Sequence, residues 1–185
     1  MVTNIALLGA GGKMGQRITR NMRDLPEFQM YYVEVSPVGI EKLAGMGLTT
    51  TPEDEAIAQA DALILALPDK LIGKISESLI PKLKPGTLVI GLDPAAAYAE
   101  VLPIRDDLTY IVSHPCHPPL FNDEVTEEGR TDWFGGIHAK QYIVTALHSG
   151  PEKDYERGEA IAKAMYAPVM KSFRISVESM VKLHN

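Results

Sequence analysis

The apolar positions change period along the chain, and each change marks a new element. Residues 5–8 form a short unbroken apolar run, the pattern of a strand covered on both faces. Met14, Ile18, Met22 and Leu25 then recur at helical spacing. "MYYVEV", residues 30–35, predicts a second strand. "TTTPEDEAIAQA" predicts a helix start, with Thr51 as N-cap, Pro52 at the first helical position, and Asp54 and Glu55 where the helix dipole favours acids. "ADALILALPD" carries a third strand, and Leu71, Ile72, Ile75, Leu79 and Ile80 form the next helical stripe. "PGTLVIGLDP", "LTYIVSHP" and "KQYIVTALHSG" read as further strands. A charged amphipathic helix follows in "PEKDYERGEAIAKAMY", then a last short strand in "PVMKSFRIS" and the opening of a helix in "SVESMVKLHN". Strands alternating with helices of this length predict an α/β, Rossmann-type doubly wound fold, a mostly parallel sheet with a short C-terminal helical extension. The one long irregular stretch, residues 114–138, is rich in proline and glycine, and a loop of that length inside a compact domain is a mark of function.

Composition narrows the partners. With 45% apolar and 23% charged residues, the 185-residue chain suits one compact domain, or one with a small appendage. A net charge of −6 without a basic run argues against nucleic acid and anionic membranes. The single cysteine, Cys116, excludes an internal disulfide framework and fits a reducing compartment. The apolar start is too short for a signal sequence, and no apolar run approaches the roughly 18 residues of a spanning helix. The expected location is cytoplasmic.

The candidate chemistry begins at "NIALLGAGGKMGQRI". A P-loop is excluded, because Leu7 and Met14 stand where it needs glycine and a hydroxyl residue. The dinucleotide fingerprint G-x-G-x-x-G fits only with one extra residue: Gly9 makes the tight turn, Gly11 or Gly12 lets the backbone approach a pyrophosphate, and Gly15 lets the helix pack on the sheet. Gly9, Gly12 and Gly15 are the preferred set and Gly11 stays open. Lys13 and Met14 open the helix whose N-terminus faces the phosphates. Glu34 follows at the end of the second strand, about 20 residues on, where an acid accepts hydrogen bonds from ribose hydroxyls. It would repel a 2′-phosphate, so the expected cofactor is NAD. Residues 1–150 are read as the NAD-binding Rossmann domain. Residues 151–185 are read as a helix-strand extension and the start of a truncated helical region for dimerisation and substrate binding.

Ligands of open parallel sheets sit beyond the carboxyl ends of the strands. Three such ends carry proline: "LALPD", "IGLDP" and "VSHPC", each proline taken as the stop of its strand. Pro68 is placed on the nicotinamide side. Asp93 either contacts ribose or substrate or caps the helix after it. His114 is the candidate catalytic base, since oxidation of an alcohol needs an acceptor for the hydroxyl proton. His117 is a weaker candidate, and Cys116 reads as a buried small residue. Trp133 and Phe134 cover the cofactor or pack on the core. Lys140 is a candidate for a substrate carboxylate, and His138 carries no assigned role.

Taken together, "ALLGAGGKMG", "ADALILALPD" and "SHPCHPPLFNDE" resemble the superfamily of 6-phosphogluconate and 3-hydroxyisobutyrate dehydrogenases. The "SHP" element is also similar to prephenate dehydrogenases, in which the matching histidine contacts the oxidised hydroxyl. The run from "HPCHPPLFNDE" through "DWFGGIHAKQYIVTALHSGP" is similar to the phosphogluconate-dehydrogenase-like group that includes D-apionate oxidoisomerase. That resemblance implies an NAD-dependent oxidoreductase acting on a hydroxy acid or sugar acid, with an apionate-type oxidoisomerase as its narrowest form. It further implies a divalent metal as Lewis acid, with His114 and Glu178 as candidate ligands, Glu178 otherwise being a first-turn acid behind Ser176. "MVKLHN" is not matched to the Lys-x-x-His-Asn helix of 6-phosphogluconate dehydrogenase, because Lys182 and His184 are two apart. Family members carry further helices, and this chain stops in the first of them. The alternative expectation is therefore an NAD-binding module without turnover. Val177, Met180, Val181 and Leu183 are expected to leave apolar surface exposed, which would pair the chain as a homodimer.

Overall fold

Residues 2–118, 123–133 and 136–184 are described by a computed structural model. The chain runs β1 (Thr3–Leu8), α1 (Lys13–Met22), β2 (Phe28–Val33), α2 (Pro37–Gly45), α3 (Glu53–Gln59), β3 (Ala62–Leu65), α4 (Asp69–Leu79), β4 (Leu88–Gly91) and α5 (Ala95–Tyr98). It continues through β5 (Thr109–Pro115), α6 (Glu127–Thr131), β6 (Gln141–Ser149), α7 (Tyr155–Met165), β7 (Val169–Arg174) and α8 (Val177–His184). The strands form one seven-stranded sheet in the order β2-β1-β3-β4-β5-β6-β7. All neighbours are parallel except β5 and β6. That exception follows from the connection: the chain leaves β5 and re-enters at β6 at the same end of the sheet, with the short α6 as the one helix among the described residues between, and an antiparallel neighbour needs no crossover helix.

Each face of the sheet has its own core. Ala6, Leu8, Leu63, Leu65, Val89 and Val112 meet Ala56, Ile57, Ile72, Leu79 and Met180 on one side. Ile5, Leu7, Ile64, Ile90 and Ile111 meet Ile18, Met22, Ile161 and Met165 on the other. Alternate residues of one strand thus enter opposite cores, which is why the strand centres are apolar without a break. The strand order reverses beside β1, placing the crevice at the carboxyl ends of β1, β3, β4 and β5.

Several boundaries differ from the sequence expectations for local reasons. β2 ends at Val33, because the Glu34 carboxylate accepts the N–H groups of Val35 and Ser36 (both 2.9 Å) and turns the chain. Pro37–Gly45, which carries no apolar stripe, is a helix whose N-cap Ser36 accepts from the Gly39 N–H. α3 starts at Glu53 with Pro52 at the cap; the Thr51 N–H instead donates to the Tyr32 carbonyl (2.7 Å). Pro115 does not stop β5 but is its last paired residue, opposite Ile143. In α8, Met180 is fully buried and Val177 packs on the core, so of the four apolar residues expected at the surface Leu183 is the prominent one, at 73% exposure. Among the described residues, no helix is long and apolar enough to cross a membrane.

Asp61 ties the start of β1 to the segment before β4. Its carboxylate accepts from the Asn4 N–H (2.9 Å) and from Lys84 Nζ (2.7 Å). Burial pushes this carboxyl up, but the hydrogen bonds from Lys84 and Asn4 and the lysine charge outweigh it, so it titrates below its ordinary range. A depressed carboxyl adds stability above the unfolded-state pKa of about 3.9 that disappears as pH falls through the folded-state value. Asp61→Asn is therefore expected to be less stable than the parent near neutrality and to converge with it in acid, as read from urea unfolding across a pH series.

Candidate functional site

Three hollows follow one another along the crevice. The first, about 280 Å³, lies between the ends of β1 and β2 and α4, with Gly9, Glu34, Val35, Leu67 and Ile75 in its walls. The second, about 370 Å³, is bounded by Lys13 and Met14 of α1, Leu67, Pro68 and Asp69, and by Asp93 and His114. The third, about 450 Å³, is lined by His114, Pro115, Cys116, His117, Val144, Met180 and Leu183. Leu67 is shared by the first two and His114 by the last two, so the hollows adjoin one another in a row along the crevice.

The glycines build the bend of that row. Gly9 has φ +71°, and a Cβ there would stand 2.2 Å from the Ala66 carbonyl oxygen. A Cβ on Gly15 would stand 2.2 Å from the Gly9 oxygen, and one on Gly11 2.3 Å from the Gly39 Cα. Gly12 is the N-cap of α1 and donates to the Gly9 oxygen at 3.0 Å; its Cβ position is less crowded. Close packing thus demands Gly9, Gly11 and Gly15, while Gly12, a member of the preferred set, is the least crowded of the four.

Sequence reasoning missed what holds Gly11. Glu34 Oε2 accepts its N–H at 2.9 Å while Oε1 accepts from Val35 and Ser36, so one carboxylate braces the glycine loop against the turn after β2. A carboxylate has about four acceptor positions, and three are used. The signal that could have revealed this is Gly39: a side chain there would strike the Glu34 carboxylate, and one on Gly11 would strike Gly39.

His114 is oriented by the backbone. Its Nδ1 lies 2.9 Å from the Leu92 carbonyl oxygen. A carbonyl can only accept, so Nδ1 carries the proton and the neutral ring keeps its lone pair on Nε2. Of the two roles considered for Asp93 the cap is present, Oδ1 accepting from the Ala95 N–H (2.8 Å), while Oδ2 stands 4.0 Å from His114 Nδ1.

The remaining candidates separate. His117 and Cys116 join His114 in the third hollow, and burial pushes the Cys116 thiol up, away from a reactive thiolate. Lys140 is exposed at the head of β6, its N–H donating to Glu124 Oε1 (2.8 Å), and it lines none of the three hollows. Asp132 Oδ2 gathers the N–H groups of Ile137, His138 and Ala139, which orders the segment holding His138 and leaves Trp133 59% exposed. Phe134 lies outside the described residues. Glu178 is engaged by Lys182 Nζ at 2.6 Å, and α8 presents Met180 and Leu183, not Glu178, to the hollow that holds His114. Among the described residues, no three His, Cys, Asp or Glu side chains are grouped to hold a metal ion.

Comparison with known proteins carries the same pattern. Residues 122–185 match the family described as phosphogluconate dehydrogenase (decarboxylating) C-term. The chain is 51% identical over 183 residues to a D-apionate oxidoisomerase of Rhizobium rhizogenes, covering 98% of this chain and 66% of that protein. It is 48% identical over 184 residues to a D-apionate oxidoisomerase of Cupriavidus necator, again covering 66% of the relative. The chain belongs to the 6-phosphogluconate and 3-hydroxyisobutyrate dehydrogenase-like superfamily. Among superfamily structures, a semialdehyde dehydrogenase NAD-binding protein from Cupriavidus necator, in complex with calcium and NAD, superposes with a TM-score of 0.96 at 48% identity, over 99% of this chain and 66% of that one. The chain therefore spans 66% of the length of these curated relatives. The segment matched by the family model runs from the approach to α6 to the end of α8, and it contributes β6 and β7 to the same sheet as the glycine loop.

Proposed function

We propose that the chain binds NAD along the first two hollows and supports oxidation of a hydroxy acid or sugar acid held in the third. The observation that carries this reading is His114, a ring with a fixed tautomer at the junction of the second and third hollows. The relatives named D-apionate oxidoisomerase favour a branched sugar acid as substrate and an oxidation coupled to rearrangement.

The residues present fit the cofactor. The glycine cradle leaves a side-chain-free bend at Gly9, Gly11 and Gly15, and α1 directs its first turn, at Lys13 and Met14, toward the second hollow, where pyrophosphate would lie. Glu34 has one acceptor position left for a ribose hydroxyl, and its negative charge disfavours a 2′-phosphate. When bound, NAD supplies the hydride acceptor. His114 Nε2 takes the hydroxyl proton, and the resulting imidazolium is held by the Leu92 carbonyl and faced by Asp93. Met180 and Leu183 keep one wall of the third hollow apolar, which limits water at the reacting carbon. Lys140 stays a proposed outer anchor for the substrate carboxylate, at the same edge of the sheet. A second copy of the chain is the expected partner, and exposed Leu183, Tyr98 and Leu71 support it.

Saturating NAD at about 100 times its Kd is expected to add about 2.7 kcal/mol, or about 5–10 °C in melting temperature for a chain of this size. NADP at the same concentration is expected to give a much smaller shift. No shift with NAD, or a larger one with NADP, rejects the assignment. A second reading, cofactor binding without turnover, is favoured by the place of Lys140, the candidate substrate anchor, outside all three hollows. NADH release by this chain from any member of a sugar-acid panel rejects it.

A further inference from the structure

We propose that Glu53 reads the exocyclic amino group of adenine and so sets the purine selectivity of the first hollow. This inference rests on the NAD reading above. The hollow has apolar walls from Val33, Val35, Leu67 and Ile75, suited to the faces of a flat base. Its polar side chains are Glu34, Glu53 and Ser78. The Glu34 carboxylate is turned to the glycine loop, with three backbone N–H groups on it, where ribose and pyrophosphate belong. The Ser78 hydroxyl proton goes to the Ile75 carbonyl (2.8 Å), so the oxygen offers only lone pairs to the hollow. Glu53 is half-buried, whereas Asp54 and Glu55 beside it are exposed. Its contact with Lys82 is long, 3.9 Å, and that ammonium sits 2.8 Å from Asp54 instead. The Thr51 N–H on the Tyr32 carbonyl (2.7 Å) ties this segment to β2 and sets Glu53 beside Val33.

Every polar side chain that lines the hollow is therefore an acceptor. Such a lining selects a base edge that donates. The 6-amino group of adenine donates to it, whereas a 6-oxo purine turns an oxygen toward carboxylate lone pairs and leaves Glu53 unsatisfied.

The test is calorimetric titration of the whole chain and of Glu53→Gln with NAD and with nicotinamide hypoxanthine dinucleotide, which differs in the purine alone. The parent is expected to bind NAD about tenfold more tightly, the worth of one hydrogen bond to a charged group. Glutamine can accept from the amine or donate to the 6-oxo group, so the variant is expected to bind the two dinucleotides within about twofold. Equal affinities in the parent, or an unchanged preference in Glu53→Gln with an unaltered melting temperature, overturn the role of Glu53 and leave the NAD reading standing. Failure of the parent to bind NAD overturns both.

Discussion

Replacing His114 with alanine is expected to lower NAD-dependent turnover by about 10²–10⁴-fold, while NAD still raises the melting temperature. The size follows from what is removed. The Leu92 carbonyl fixes the proton on Nδ1 and so keeps the lone pair on Nε2 of a ring that lines two adjoining hollows. His114→Asn separates chemistry from structure. The asparagine amide can still donate to the Leu92 carbonyl, so the end of β4 keeps its partner, but no group of suitable basicity remains. Both variants should lose turnover, the asparagine variant should melt closer to the parent, and added imidazole should restore part of the rate to His114→Ala. Turnover within about threefold of the parent in His114→Asn would remove this histidine from the proton transfer, since general-base catalysis is worth far more.

The strands were legible because burial on both faces writes itself as unbroken apolar runs, as in residues 62–65 and 88–91. α2 was not, since only Gly39 and Leu43 of it are buried and no stripe marks the helix. The site was legible where one residue announces its chemistry, at His114, Glu34 and the glycine loop. It was not legible where a role comes from contact across the fold. The brace between Glu34 and Gly11 depends on Gly39 staying bare, and no spacing rule links these three positions. Glu53 reads as one acid of a helical first turn, and only the path of the chain past Tyr32 sets it apart from Asp54 and Glu55. Met180 shows the converse failure. Its apolar character suggested a surface for a second copy, whereas it fills the core beside Ala96 and Ala97.

The glycines allow the largest contrast in stability to be tested. Gly15→Ala is expected to cost about 3 kcal/mol or more, lowering the melting temperature by about 6–12 °C. The added Cβ would meet backbone atoms, the Gly9 oxygen at 2.2 Å and the Ala10 Cα at 2.6 Å, which no rotamer change can relieve. α1 would have to lift away from β1, opening the bend between the first two hollows, so nucleotide affinity should fall together with stability. Gly45, in the last turn of α2, is the opposite case: nothing lies within 4 Å of its Cβ position and its φ is not in the left-handed region. Gly45→Ala is expected to gain about 0.4–1 kcal/mol by restricting the unfolded chain, with nucleotide binding unchanged. Thermal unfolding of the two variants with and without NAD reads both effects. A Gly15→Ala protein as stable as Gly45→Ala would mean that α1 does not approach the turn after β1 as described, and the cofactor path drawn through that turn would fall with it.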